Sequence, residues 1–193
     1  MRQQGILVVL ALGILVCGHA FAAGKDGLKS GPQVGEKLPG SFNSLVVVSS
    51  AQEPISAGKR TDFIEQYGQN PVVLIFAREL TKPLTGLIKK LDVEATKHKS
   101  AKLKVIVIIL ADDPAWETKL KDFGEKQGLK NVDLALMVPG GPEHYNLSDE
   151  ADVTVVIYKR QKVESNHAFK KGELNGKAVK LILADVPKVV SRQ

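Results

Sequence analysis

Four charged residues that could do chemistry follow two strongly apolar segments of the sequence. Arg78 and Glu79 come directly after one apolar run, and Asp112 and Asp113 follow the next. Paired carboxylates can bind a divalent cation, and a guanidinium can pair with an anion. If both runs are parallel strands, their carboxyl ends meet at one edge of a sheet, where ligands commonly bind. The four residues are therefore candidate ligand-binding residues.

Each pair also has a structural interpretation. Asp113 precedes Pro114, and a helix that begins there would use the Asp113 carboxylate as its N-cap. Arg78 and Glu79 could instead form a local ion pair or lie in a solvated turn. Capping and local pairing are the commoner roles of such residues. The sequence therefore predicts no metal ligands and no cofactor, and a small-ligand or divalent-metal site remains only an alternative.

Other reactive motifs are absent. His98, His144 and His167 lack the spacing of metal ligands. The glycine-rich loop at 140–145 lacks the Lys-Ser/Thr that follows a phosphate-binding loop, and no Gly-x-Ser-x-Gly elbow occurs. The sequence has one cysteine, Cys17. These absences argue against nucleophilic catalysis, although the sequence leaves open whether the protein is an enzyme.

The first 22 residues are typical of a cleaved secretory signal. Arg2 supplies the positive charge, residues 6–16 are apolar, and the small-x-small pattern at 20–22 fits a cleavage site. Lipidation of Cys17 is an alternative, but a valine precedes it where a small residue is expected. Cleavage would remove Cys17, so the mature chain would contain no thiol.

The predicted organisation is a signal peptide over 1–22, a flexible arm over 23–33 and one domain over 34–193. We expect a periplasmic or secreted protein without stable membrane insertion after cleavage, and a protein or peptide as its partner. The net charge is +6, but aromatic residues make up only 5%. A nucleic-acid surface needs aromatic side chains among its cations, so nucleic acid is not an expected partner. The oligomeric state is left open.

The first half of the domain alternates between strand and helix patterns. Unbroken apolar runs predict interior strands, and apolar residues at steps of three and four predict helices. We expect a loop over 50–70 with one helical turn at 62–67. The other predicted elements are strands at 45–48, 72–76, 103–110 and 132–138, and helices that begin at Thr81 and Pro114.

The second half has a different pattern. Two β-rich segments, 153–158 and 162–169, flank a short polar turn and predict an antiparallel hairpin. A last helix is expected to begin near 172–174 and to be interrupted at Pro187. The whole order is βαβαβ followed by ββα. It predicts an α/β fold around a mixed sheet.

This plan resembles the thioredoxin-like superfamily. The segment Val34-Gly35-Glu36-Lys37-Leu38-Pro39-Gly40-Ser41-Phe42 is similar to the Val-Gly-x-x-x-Pro-x-Phe entry segment of its exported peroxiredoxin and thiol-disulfide-carrier branch. The strand and helix start at 72–84 resemble the part of that branch that carries the reactive cysteine. The resemblance spans most of residues 34 to 186 and implies a thioredoxin-like fold, a three-layer α/β/α sandwich with a central mixed sheet.

The residues that would carry the family's thiol chemistry are replaced. The peroxiredoxin Thr-x-x-Cys corresponds to Thr81-Lys82-Pro83-Leu84, which puts a leucine in the place of the sulfur. A thioredoxin Cys-x-x-Cys would fall on Leu80 and Pro83, or on Thr81 and Leu84.

Two further positions of the resemblance are also changed. An upstream cysteine pair of some exported relatives would fall on Asp62 and Glu65. The cis-proline expected before the hairpin strand, near Asp152, is missing.

Three functions follow from this reading. The favoured one is an exported, non-catalytic module that binds a protein or peptide. The second is a subunit of a thiol-redox or peroxide-handling system that relies on a partner's cysteines. The third is a small-ligand or metal binder at the strand-helix junction.

Overall fold

The computed structural model describes residues 27–191. The predicted signal peptide, with Cys17, and the first residues of the predicted arm lie outside this range. In the described part of the chain, no helix has both the length and the apolar character to cross a membrane.

The described residues form one seven-stranded sheet with helices, in the strand order β2-β1-β5-β4-β3-β6-β7. The pairs β3-β4 and β4-β5 are parallel, and the remaining neighbours are antiparallel. The elements are β1 Asn43–Val48, β2 Arg60–Asp62, α1 Phe63–Tyr67, β3 Pro71–Ala77, α2 Lys82–Lys97, a 3-10 turn Lys99–Ala101, β4 Lys104–Leu110, α3 Ala115–Gln127, β5 Val132–Met137, β6 Val153–Lys159, β7 Lys162–Phe169, α4 Gly176–Asp185 and α5 Pro187–Val190.

The two apolar runs that the sequence singled out are the strands β3 and β4, and every residue in them is buried. Both lie inside the sheet with covered faces, which explains why their sequences do not alternate. Their carboxyl ends are in register, with Ala77 opposite Ile109. The edge predicted to carry the candidate residues therefore exists.

The two faces of the sheet are covered differently. One face packs against α2, α3, α4 and α5 through side chains such as Leu84, Leu120 and Ile182. The chain steps from β3 to β4 and from β4 to β5 in the same direction across the sheet. With right-handed crossovers, the connecting helices α2 and α3 then lie on the same face. The other face is covered by α1, by the N-terminal segment and by the loop around Tyr145. The structure confirms the predicted thioredoxin-like α/β fold and its mixed sheet.

The N-terminal arm differs from the prediction. Ser30 is buried, and its hydroxyl lies 2.6 Å from the Thr154 hydroxyl. The Asn166 side-chain amide donates to the carbonyls of Ser30 and Pro32, each at 2.9 Å. Residues 30–33 are therefore held against β6 and β7, whereas the sequence predicted a flexible arm as far as 33. The contacts come from residues more than 120 positions away, which a local pattern does not reveal.

Local details of three other elements also differ. Strand β2 lies inside the segment predicted as a loop, and it pairs only with β1. The last long helix begins at Gly176 rather than near 172–174, because the Asn175 side chain caps the amides of Lys177 and Ala178. The hairpin β6-β7 forms as predicted, through a two-residue turn.

Candidate functional site

The candidate site is the junction between β3 and α2. Thr81 is the N-cap of α2, where its hydroxyl oxygen accepts a hydrogen bond from the Leu84 amide at 3.4 Å. The Thr85 hydroxyl donates to the Thr81 carbonyl at 3.0 Å. Pro83 lies in the first turn, where its missing N–H costs no helical hydrogen bond. The helix therefore begins in the ordinary way without any sulfur.

Leu84, which the sequence resemblance aligns with the peroxiredoxin cysteine, is completely buried. Its side chain belongs to the core formed with α2, α4 and the sheet. Lys82 and Pro83 are exposed beside it. Leu84 therefore has a packing role in this turn of the helix, since a leucine in the core offers no group that can exchange a proton or an electron pair.

Arg78 joins three parts of the loop region at the carboxyl edge of the sheet. Its Nε donates to the Ala151 carbonyl and its Nη1 to the Pro139 carbonyl, both at 3.0 Å. Its Nη2 lies 3.4 Å from the Asp149 carboxylate, which is fully exposed. The sequence predicted a ligand contact or a local pair with Glu79. The predicted pair is absent, because the guanidinium instead holds the loop 139–151 in place.

Glu79 pairs with Lys171, at 2.8 Å, after the end of β7. The hydrogen bond to Glu79 raises the pKa of Lys171, but both side chains are mostly exposed and solvent screens the pair. Asp152, just before β6, is half-buried near the same carboxylate. Burial first, and then the charge of Glu79, raise the pKa of Asp152 above its ordinary value. Sequence reasoning treated Asp152 only as the place of a missing proline.

The missing cis-proline has a clear backbone consequence. Residues 27–191 contain no cis peptide bond. The Asp152 amide donates to the Phe169 carbonyl at 2.8 Å, and its carbonyl accepts from the Arg78 amide at 3.0 Å. Both backbone groups of Asp152 are occupied within the protein. This position therefore offers no free backbone edge to a substrate peptide.

The two aspartates after β4 lie at the predicted edge. The N-cap of α3 is Pro114 rather than the predicted Asp113, and the helix begins at Ala115. The Asp113 carboxylate still accepts a hydrogen bond from the Ala115 amide at 2.8 Å and lies 3.7 Å from Lys119 Nζ. Asp112 is exposed. No group of three or more metal-ligating side chains occurs in the range that the structure describes. The aspartates are not joined with Glu79 into such a group.

Asp62 and Glu65 lie elsewhere. The Asp62 carboxylate caps α1 by accepting from the amides of Ile64 at 2.9 Å and Glu65 at 3.0 Å. Helix α1 packs on the face of the sheet opposite to α2. The structure therefore does not bring these two positions together with Thr81 and Leu84.

An apolar groove lies beside the junction. It has a volume of about 380 Å³, and its apolar walls are half-buried Leu80, Trp116 and Phe123. The Lys119 ammonium lies 4.9 Å from the Trp116 ring centroid. We call this feature the junction groove; its remaining lining residues are Asp122, Lys126 and Gln127.

Sequence reasoning missed the junction groove. Trp116, Leu120 and Phe123 follow one another at steps of four and three residues, a spacing that predicts inward-facing side chains, and Leu120 is fully buried. Trp116 and Phe123 lie at the margin of the core and are only partly covered. Leu80 completes the wall from another element. The sequence feature that could have indicated the groove is Trp116, a large aromatic residue in the first turn of α3.

The described residues have a thioredoxin-like fold, and the sequence resemblance aligns Leu84 and Pro83 with reactive-cysteine positions. Among solved structures, the chain is similar to a candidate protein disulfide isomerase of Bacteroides thetaiotaomicron, with a TM-score of 0.61, 17% identity and coverage of 86% of this chain and 96% of that one. It is also similar to reduced 2-Cys peroxiredoxin of Plasmodium vivax, with a TM-score of 0.55, 18% identity and 80% coverage of each chain.

A third similar structure is a secreted disulfide oxidoreductase of Mycobacterium tuberculosis, with a TM-score of 0.52, 13% identity and coverage of 76% of this chain and 95% of that one. No model of a known protein family matches the sequence, and no curated protein matches it. At these identities the similarity shows the fold, and function has to be argued from the site.

Proposed function

We propose that the protein is an exported thioredoxin-like module that binds an extended peptide segment of a partner protein without thiol catalysis. The observation that carries the proposal is the junction groove. It lies directly beside the helix start whose Leu84 is buried in the core. Leu84 itself is inaccessible to a ligand, whereas the junction groove next to it is accessible.

The lining of the groove indicates what it would bind. Trp116 and Phe123 present rigid aromatic surface, which dominates the energy of protein interfaces at low entropic cost. Leu80 forms the opposite wall. Lysine side chains at the rim can pair with a carboxylate or a backbone carbonyl of the ligand. An apolar anchor side chain in the recess, with polar groups around it, is the ligand that fits.

Export is the second part of the proposal. It is supported by the predicted signal over 1–22 and by the secreted oxidoreductase among the similar structures. We expect the mature chain to begin at Ala23 and to occur in the periplasm or outside the cell. Mass spectrometry of the protein from that fraction measures the N-terminus, and an intact N-terminus at Met1 would contradict export by cleavage.

The binding proposal can be tested with the only tryptophan of the chain. Peptides are selected from a random phage-displayed library on residues 23–193 and measured by calorimetry. We expect selected peptides to shift the Trp116 emission and to bind at least tenfold more weakly to Phe123→Ala, since buried aromatic anchors carry such energies. The matched control is Val93→Ala, an exposed apolar residue on α2. Equal binding by both variants would refute the groove as the site.

A redox role with cysteines supplied by a partner is the second candidate, favoured by the similarity to disulfide-handling structures. It predicts that the protein accelerates a partner's thiol chemistry while showing none alone. Insulin reduction and peroxide consumption by residues 23–193 should therefore match a heat-inactivated control. Activity of the isolated chain would contradict both candidates, because no thiol is present in it.

A further inference from the structure

The β6-β7 turn carries a second concave surface, of about 330 Å³, which we call the basic groove. Its lining residues are Lys37, Lys159, Arg160, Lys162, Glu164 and Lys188. The geometry points to a binding surface for an acidic peptide segment of a partner protein. This inference goes beyond the proposed function, because it concerns a different surface and a different chemistry.

The basic groove lies at the opposite end of the sheet from the junction groove. Strand β6 runs antiparallel to β3, so Lys159 pairs with Pro71 at the start of β3. The junction follows Ala77 at the other end of that strand, where β6 begins with Val153. One molecule can therefore use both surfaces at the same time.

The cations of the basic groove are poorly compensated. Lys188 pairs with Asp185 at 2.8 Å, and Lys159 Nζ lies 3.4 Å from the Ser191 carbonyl. Within residues 27–191, the remaining cations of the groove form no ion pair. These are Lys37, Arg160 and Lys162.

Five cations surround one carboxylate, that of Glu164. Stable surfaces usually mix both signs of charge, because like charges at close range repel one another. A partner that supplies negative charge would relieve this repulsion.

The backbone under the cations is held from several sides. The Val163 amide donates to the Glu36 carbonyl at 2.9 Å, and the Leu38 amide donates to the Gln161 carbonyl at 2.8 Å. These bonds fix the N-terminal segment along β7 and bring Lys37 opposite Lys162. The groove is therefore built from segments far apart in sequence and has a preorganised backbone, which lowers the entropic cost of binding.

The turn itself has an unusual composition. Arg160 and Gln161 have φ angles of 53° and 60°, the left-handed backbone of a two-residue type I′ turn. Asn-Gly is the preferred pair in such turns because left-handed backbone is strained for larger side chains. Here that position carries a guanidinium at the tip of the hairpin.

The lining favours an acidic peptide over other anions. It contains no aromatic side chain on which a nucleic-acid base could stack. It contains no apolar side chain that could enter a bilayer, as surface-bound membrane proteins require. The surface is concave, with ammonium groups and one guanidinium on its walls. Carboxylates spaced along an extended chain match such donors.

The test uses fluorescein-labelled octaglutamate as the probe and fluorescence anisotropy as the readout. Each exposed ion pair contributes roughly a factor of two in affinity, so we expect the variant Lys159→Gln/Arg160→Gln/Lys162→Gln to bind about tenfold more weakly. The matched control, Lys89→Gln/Lys90→Gln/Lys180→Gln, removes three exposed cations from α2 and α4. It should bind within about twofold of the wild type.

Several outcomes would overturn the inference. Equal losses of octaglutamate affinity in the two triple variants would show that only net charge matters. Absence of octaglutamate binding by the wild type would also overturn the inference. Retention on phosphatidylglycerol vesicles without octaglutamate binding would indicate a membrane surface instead. Lys37→Gln/Lys162→Gln leaves the turn intact and should show a partial loss if the triple variant does not fold. Phe123→Ala should bind octaglutamate normally, which separates this surface from the junction groove.

Discussion

Leu84, which the sequence resemblance aligns with the peroxiredoxin cysteine, is completely buried at the start of α2. The neighbouring N-cap, Thr81, is only partly buried. A thiolate needs solvent or a stabilising charge, and apolar surroundings raise the pKa of a thiol. The surroundings of Leu84 therefore favour an apolar side chain over an ionised thiol.

A cysteine placed at Leu84 should remain unreactive. We expect Leu84→Cys to consume no peroxide and to react with a thiol reagent at least tenfold more slowly when folded than when unfolded, because the side chain has no access to solvent. Thr81→Cys is the matched control, since its side chain is partly exposed at the positive end of the α2 dipole. Equally fast labelling of both folded variants would contradict the burial of Leu84.

Asp133 is a buried acid in β5 with no part in the candidate site. It accepts hydrogen bonds from the Tyr67 hydroxyl at 2.6 Å and the Ser50 amide at 2.8 Å. Burial nevertheless raises the pKa of Asp133, outweighing these bonds and the nearby charge of Lys104. The folded state therefore holds the proton more tightly than the unfolded state does.

The pH dependence of stability should show this difference. A raised folded pKa means that the free energy of unfolding falls as pH rises from the ordinary value of 3.8 towards the folded pKa. We expect the wild type to lose stability relative to Asp133→Asn over this interval, as measured by urea unfolding. Asp122→Asn, an exposed substitution on α3, should show a parallel profile to the wild type. A wild-type profile parallel to that of Asp133→Asn would contradict the prediction.

At the scale of the elements, single side chains join segments that the backbone ladder does not. Arg78 ties β3 to the loop 139–151, and Asp185 ties α4 to β7 and α5. Such bonds position whole elements because each partner belongs to a different one. Their loss should loosen one part of the molecule before the rest.

Arg78→Gln removes the guanidinium that donates hydrogen bonds to the carbonyls of Ala151 and Pro139. We expect the free energy of unfolding to fall by about 1–3 kcal/mol, because hydrogen bonds to a charged donor are lost. Amide hydrogen exchange should accelerate within 139–151 and not in β4. Arg60→Gln, an exposed arginine in β2, should stay within about 0.5 kcal/mol. Unchanged exchange in the loop would show that Arg78 does not hold it.

Asp185 gives the opposite pH effect from Asp133. Burial would raise the pKa of Asp185, but hydrogen bonds from Lys188, Ser165 and His167 outweigh it and lower the pKa. A lowered folded pKa contributes stability above the ordinary value of 3.8, and this stability is lost as pH falls through the folded pKa. We expect Asp185→Asn to be less stable than the wild type near neutral pH, with the difference shrinking in acid. A difference independent of pH would disprove it.

At the scale of the whole molecule, the start of the N-terminal segment lies on one face of β6 and β7. Ser30 and Pro32 contact Thr154 and Asn166 through hydrogen bonds that involve the side chains of these two strands. Gly31 is buried there, and a Cβ on it would lie 3.1 Å from the Thr154 methyl carbon. Residues 30–32 therefore belong to the packed structure of the domain.

Removal of this segment should therefore be costly. A chain that begins at Val34 is expected to lose about 2–5 kcal/mol of unfolding free energy relative to one that begins at Gly27, because five hydrogen bonds to the rest of the chain and the burial of residues 30–32 disappear. Urea unfolding of the two chains measures this difference. Equal stability of the two chains would contradict this prediction and would agree with a domain that begins at residue 34.

Much of the fold could be predicted from local patterns. The runs 72–76 and 103–110 are interior strands, Thr81 caps a helix, and the hairpin turn falls at 160–161. Each depends on neighbours within a few residues. The prediction for α4 was wrong by two residues, because the helix begins at Gly176, directly after its cap Asn175. Strand β2 is too short, at three residues, to show a period.

The sequence by itself determined the strand-helix alternation and the burial of Leu84 in the helix stripe, since both depend on residue type and local spacing. Only the tertiary structure decided what surrounds that leucine. The junction groove needs Leu80 beside α3, and Arg78 bonds to residues more than 60 positions away. The basic groove joins the segment around Lys37, the hairpin and α5. Contacts between distant segments follow from packing and crossover geometry, which periodicity in one segment does not encode.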